Sequence, residues 1–156
     1  AEAVRVRRAI PAHITPKPGY PEFLADLAAD PMIHHLLKPE LGFDPEVAFT
    51  IDMAAGKDGF AHALQKRPDG MADYIRYRPE QAGKCIRWIC RTPNQDAIGM
   101  AFPATAETEG HAAEKAKGNV VSVPPRGRWR IDMRLGALTV AETADAVRTI
   151  EVVRAG

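Results

Sequence analysis

What this sequence lacks narrows it first. It has two cysteines in 156 residues, Cys85 and Cys90, too few for a disulfide-stapled scaffold. Both lie in Lys84-Cys85-Ile86-Arg87-Trp88-Ile89-Cys90-Arg91, which reads as one strand. Their odd spacing puts them on opposite faces about 16 Å apart, at about 3.3 Å per residue, too far to bridge. Free thiols fit a reducing compartment, so a cytoplasmic location is expected. Neither sign of charge dominates, with 21 Lys+Arg against 20 Asp+Glu, which argues against a generic nucleic-acid binder. No apolar run approaches the roughly 20 residues that span a bilayer, and no secretory leader pattern opens the chain, so no membrane partner is expected. There is no paired-cysteine, HExxH or EF-hand pattern. The adjacent His34 and His35 would point about 100° apart on a helix, a poor two-point ligand, so neither a metal nor another cofactor is expected. There is also no internal repeat and no linker between two domains.

What is present is alternation. Val47, Phe49, Ile51 and Met53 alternate with Ala48, Thr50 and Asp52. Ile86, Trp88 and Cys90 share one face of a segment, with Arg87 and Arg91 on the other. Ile98, Met100 and Phe102 alternate with Gly99 and Ala101, and Trp129, Ile131, Met133 and Leu135 with Arg128, Arg130, Asp132 and Arg134. Each is the pattern of a half-buried strand. Weaker candidates are Val4–Arg7, Phe60–Leu64, Ala72–Tyr77 and Val120–Val123. Turns are expected at Asp69-Gly70, at Pro93-Asn94 and at Pro124-Pro125-Arg126-Gly127, where Pro presets φ and Gly tolerates positive φ.

Seven of the prolines fall between Pro11 and Pro45, a stretch that reads mostly as loop. Within it Pro21–Ala29 has helical spacing at Phe23, Leu24 and Leu27. Pro31 stops that helix, and Met32–Leu37 forms a further turn. Near the other end, Thr139 and Glu142 have capping-box spacing, and Val140, Ala144, Val147 and Ile150 make a stripe, so a helix over Val140–Val152 is predicted. The fold class that follows is mainly β: an antiparallel β-sandwich with an N-terminal helical insertion and a C-terminal helix, residues 1–156 forming one domain.

The segment richest in chemistry follows the strand at Ile98–Phe102. Small residues, Ala104-Thr105-Ala106, lead into Glu107 and Glu109, then Gly110-His111 and a polar loop to Asn119. Small residues admit a ligand close to the backbone, and a carboxylate beside them can take a proton from a hydroxyl if burial tunes its pKa. The plain alternative is that Glu107 and Glu109 are two solvated loop carboxylates. Other features carry the same choice. Arg5, Arg7, Arg8, Arg126, Arg128, Arg130 and Arg134 could form a phosphate-binding strip, but a solvated sheet face explains them better. Trp88 and Trp129 fall on apolar faces and read as core, and Tyr74 and Tyr77 are left as candidates for stacking on a ring-shaped ligand.

Arg91-Thr92-Pro93-Asn94-Gln95-Asp96-Ala97, Pro103-Ala104-Thr105-Ala106-Glu107, Gly110, Lys117-Gly118-Asn119 and Val123-Pro124-Pro125-Arg126-Gly127 together resemble the C-terminal part of the aldose 1-epimerase (galactose mutarotase)-like family. The similarity covers roughly residues 84–138. It implies part of a mutarotase-like supersandwich, a small-molecule sugar as ligand, and interconversion of α and β anomers. In such proteins a glutamate takes the proton of the anomeric hydroxyl and a histidine protonates the ring oxygen. Glu107 matches the base, with Glu109 as the fallback. Arg91, Glu109, His111 and His62 become the candidate substrate contacts. The family's histidine–proline–aromatic motif is missing, since His13, His62 and His111 do not match it.

Two other classes stay open beside an isomerase. One is a non-catalytic sugar-binding or regulatory module. The other is a structural or assembly subunit that pairs through an open sheet edge. Family members are roughly twice as long, and Ala1 opens the chain in apparent mid-strand without a Met. The resemblance therefore predicts a C-terminal portion that pairs with a missing N-terminal portion or forms a homo-oligomer.

Overall fold

Period-two segments that bury one face must stack that face on another layer. The structure, a computed structural model, describes residues 3–7, 20–37 and 42–155. Among the described residues, seven strands form two antiparallel sheets. The first runs β1 (Ala3–Arg7), β2 (Phe43–Asp52), β5 (Lys84–Thr92), β6 (Gln95–Ala104), in that spatial order. The second runs β3 (Ala61–Lys66), β4 (Ala72–Tyr77), β7 (Met133–Leu138). Helices α1 (Tyr20–Ala29), α2 (His111–Ala116) and α3 (Val140–Ala155) and one 3-10 turn, Ile33–His35, complete the described elements. One apolar core joins both sheets, with Phe43, Val47, Phe49 and Ile51 of β2 packed with Ile75 and Tyr77 of β4 and with Phe23 and Leu27 of α1. Phe23 and Phe43 meet edge to face, with ring centroids 4.8 Å apart. This is the mainly-β, two-sheet architecture with flanking helices that the alternation predicts. The side chains of Arg5 and Arg7, and all of Arg8, His13 and the Pro11–Gly19 stretch, lie outside the described residues.

Several expectations need correction. On β5 the fully buried pair is Cys85 and Ile89, so Arg87 shares the core-facing side while Ile86 and Trp88 are half-buried. Both cysteines are buried and unbridged. On β6 the pairing slips by one residue between Ile86–Phe102 and Trp88–Gly99. A slip of one residue reverses which side faces the core. Phe102 therefore turns outward, 49% exposed, and Ala101 inward. Its ring lies over Gly99, where an added Cβ would overlap it.

The strand expected over Arg128–Leu135 starts only at Met133. Upstream, Gln81 and Asp132 bond reciprocally, Asp132 N–H to Gln81 Oε1 at 2.7 Å and Gln81 Nε2 to Asp132 Oδ2 at 3.1 Å. That clasp takes the place of ladder pairing before β7. Trp129 is 47% exposed and Leu135 72%, so Trp129 is not core. Val120–Val123 forms no strand, and Val121 and Val123 are exposed.

The expected turns are present, with one shift. At Pro124–Gly127 the Gly127 N–H reaches Pro124 O at 2.8 Å, and the positive φ falls on Arg126 (63°), not on the glycine. Gly127 is required for another reason, because a Cβ there would lie 2.8 Å from Pro124. A left-handed conformation strains a residue with a Cβ, so Arg126→Gly should stabilise the protein by up to about 1 kcal/mol. A rise in the urea midpoint at unchanged slope is the expected reading; a fall would show that the guanidinium holds something the turn needs. The capping box forms as predicted, with Glu142 N–H to Thr139 Oγ1 at 3.4 Å and Thr139 N–H to Glu142 Oε2 at 2.8 Å. Those bonds hold the Glu142 carboxyl below its ordinary pKa.

Candidate functional site

The chain leaves β6 at Ala104 and folds back through a short loop into α2. Helix α2 was not anticipated, although Ala112, Ala113, Glu114, Lys115 and Ala116 are all strong helix formers and Gly118, at φ 76°, terminates it. Its formation turns the loop into a compact polar cluster. The Glu107 backbone N–H donates to Glu114 Oε2 at 2.9 Å, and Asn119 Nδ2 donates to the same oxygen at 2.7 Å. Lys117 Nζ donates to Glu114 Oε1 and to Glu107 Oε2, each at 2.9 Å, and also pairs with Glu109. Lys84, at the start of β5, brings a second ammonium within 3.9 Å of Glu107 Oε1.

Burial separates the two candidate carboxylates. The Glu107 side chain is 2% exposed and that of Glu109 is 36%. A buried carboxylate is costly unless opposite charge and hydrogen bonds compensate it, and both are supplied here. Glu114 is buried as well. The Asn119 amide first, then Lys117, then the Glu107 backbone N–H hold its carboxyl down to about 2, against an ordinary 4.5.

A folded-state pKa below the unfolded value means the folded state prefers the ionised form. The stability Glu114 contributes is complete above pH 4.5 and is lost as pH falls towards 2. Glu114→Gln should therefore lower the melting temperature at pH 7 and flatten its fall across that acid window; an equally steep fall in the variant would assign the acid sensitivity elsewhere. Lys117 is the hub. Its side chain keeps 27% exposure, which discounts the cost of a fully buried broken pair, so Lys117→Met should destabilise by about 2–4 kcal/mol. Faster proteolysis within residues 105–119 should accompany the loss. Wild-type stability in that variant would mean the cluster is ornamental.

The other predicted contacts are dispersed. His111 is the exposed first residue of α2, three positions before Glu114. Arg91 pairs with Asp96 at 3.1 Å beside the β5–β6 turn. Glu107 follows the opposite end of that hairpin, where Lys84 faces Ala104. Seven residues of β5 separate Arg91 from Lys84, about 23 Å at 3.3 Å per residue, so Arg91 and Glu107 do not share a site. His62 is on β3 in the other sheet, its Nδ1 2.7 Å from the Tyr74 hydroxyl. Burial lowers its pKa, assisted by Arg76 and opposed by Asp58, so the imidazole stays neutral at pH 7. His62 also lines a cleft of about 710 Å³ between the sheets, whose walls include Leu64, Arg87, Met100 and Ile150. The structure thus joins Glu107 with Glu109 and leaves Arg91 and His62 apart from them.

Sequence reasoning missed Lys84, Lys117, Glu114 and Asn119 as members of the cluster. The Glu114–Lys117 spacing, one helical turn, was the available signal. Lys84 had none, because only strand pairing brings it near. Among the described residues, no His, Cys, Asp or Glu group forms a metal-binding set, and no helix is long and apolar enough to cross a membrane.

Fold and site together describe a two-sheet antiparallel β protein with a buried carboxylate cluster at one end of its larger sheet. No protein family, curated protein or solved structure matches this chain.

Proposed function

We propose that this protein binds a sugar at the loop cluster after β6 and interconverts its anomers, with Glu107 as the general base. The observation that carries this reading is the burial of Glu107 among two lysines and the Glu114–Asn119 pair. Of two neighbouring carboxylates, the one that matches the mutarotase-like base is the one the fold takes out of water. The partly exposed Lys117 ammonium beside Glu107 also suits a polyhydroxylated ligand. In the reaction Glu107 takes the proton from the anomeric hydroxyl, the ring C–O bond breaks as the aldehyde forms, and an acid protonates the ring oxygen. Rotation and reclosure return that proton and deliver the other anomer. For a hydroxyl to reach Glu107, the Lys117 ammonium must move off Oε2, which its long, partly exposed side chain permits.

One observation favours a second reading. With Lys117 in place, both Glu107 oxygens face ammonium groups and the carboxylate is closed to solvent. A non-catalytic sugar-binding module would keep this closed form. Polarimetry of freshly dissolved α-glucose and α-galactose separates the two. Accelerated equilibration in proportion to protein supports the isomerase. A sugar-induced rise in melting temperature without acceleration supports the binding module. Absence of both effects would remove the sugar reading.

A further inference from the structure

The cleft between the sheets is remote in chemistry from the Glu107 cluster. Its floor is apolar: Ile51 of β2, Cys85 of β5 and Ala101 of β6, all buried. Leu64 of β3 and Val147 and Ile150 of α3 add apolar lining. Its volume, about 710 Å³, falls within the usual range for a small-molecule site. Its charges are lopsided. Among the described residues, Lys66, Arg87 and Arg154 line it with one carboxylate, Glu151. Arg87 rises from the core-facing side of β5 and gives one N–H to Met100 O at 3.3 Å. Lys66 and Arg154 are exposed at the mouth, and among the described residues neither has an ion-pair partner.

An apolar interior lets an alkyl or aryl body leave water, while unneutralised cations at the mouth attract a negative head. Gln65, Glu151 and His62 also line the cleft, but its apolar faces, Leu64, Val147 and Ile150, suit an alkyl or aryl body better than a ring of hydroxyls, which would lose water there without return. We propose that the inter-sheet cleft is a second binding site, for an amphipathic organic anion whose apolar body lies between β3, α3 and the larger sheet and whose carboxylate meets Lys66 and Arg154.

The test uses decanoate, with 1-decanol as the body without the charge and acetate as the charge without the body. Ligand-observed NMR should show decanoate bound at least tenfold more tightly than decanol, and acetate not bound. Amide shifts should centre on Leu64, Ala101 and Ile150, and galactose should not displace the decanoate. The double variant Lys66→Glu/Arg154→Glu changes two exposed residues, so its melting temperature should stay near wild type while decanoate affinity falls at least tenfold. Equal affinity for decanol and decanoate, unchanged affinity in the double variant, or shifts centred on Glu107 and Asn119 would each overturn the proposal. Failure of sugar binding at Glu107 leaves this site untouched, so the two readings fail separately.

Discussion

Glu107→Gln should reduce any acceleration of anomer equilibration by about 10²–10⁴-fold, the range a positioned general base contributes. The amide keeps the shape and can still accept from Lys117, but it cannot take a proton at neutral pH. Glu109→Gln should leave the rate within a few-fold, because Glu109 lies at the exposed edge of the cluster and meets it through Lys117. The contrast between the variants matters more than either alone. If both fell equally, the loss would belong to the integrity of the loop and not to a base. If neither fell, the base would be elsewhere although the reaction class could stand. The control is the melting temperature of each variant, since loss of a charge from a three-carboxylate hub also changes stability.

Phe49→Ala should cost about 3–5 kcal/mol, as for other large-to-small changes of a buried aromatic. Phe49 is 1% exposed on β2, the strand flanked by β1 and β5. Its ring meets His34 edge on at a centroid distance of 5.1 Å, so truncation opens a void against the 3-10 turn as well as the sheet. Urea unfolding should show a lower midpoint with little change in slope. Leu135→Ala, at an exposed position of β7, is the matched control and should shift stability by no more than about 0.5 kcal/mol. A Phe49 variant as mild as the Leu135 variant would contradict the placement of the core.

The comparison of β2 with β5 shows what sequence pattern could reach. Val47, Phe49 and Ile51 are legible because only one side of β2 is continuously apolar. β5 offers two apolar sides, Cys85–Ile89 and Ile86–Trp88–Cys90, and the bulk of Trp88 draws attention to the wrong one. Its burial is decided by register, Phe49 opposite Arg87 and Ile51 opposite Cys85, which periodicity within one strand does not encode. The one-residue slip in β6 has the same character, since it depends on the partner strand. At the site, Glu107 was legible as a carboxylate after small residues. Its partner Lys84 was not, because the contact spans 23 positions and exists only through the β5–β6 pairing. The apolar residues at Trp129, Met133 and Leu135 carry a buried-strand pattern that the described structure leaves exposed.

Sugar binding at the Glu107 cluster is the proposal on which the enzymatic reading depends. Amide chemical-shift mapping during titration with galactose tests it most directly, because it needs neither turnover nor a variant. Saturable shifts are expected, centred on Glu107, Glu114, Lys117 and Asn119, where the Glu107 N–H and the Asn119 side chain already converge on one carboxylate oxygen. Shifts absent at saturating sugar, or confined to the inter-sheet cleft around Leu64 and Ile150, would contradict it.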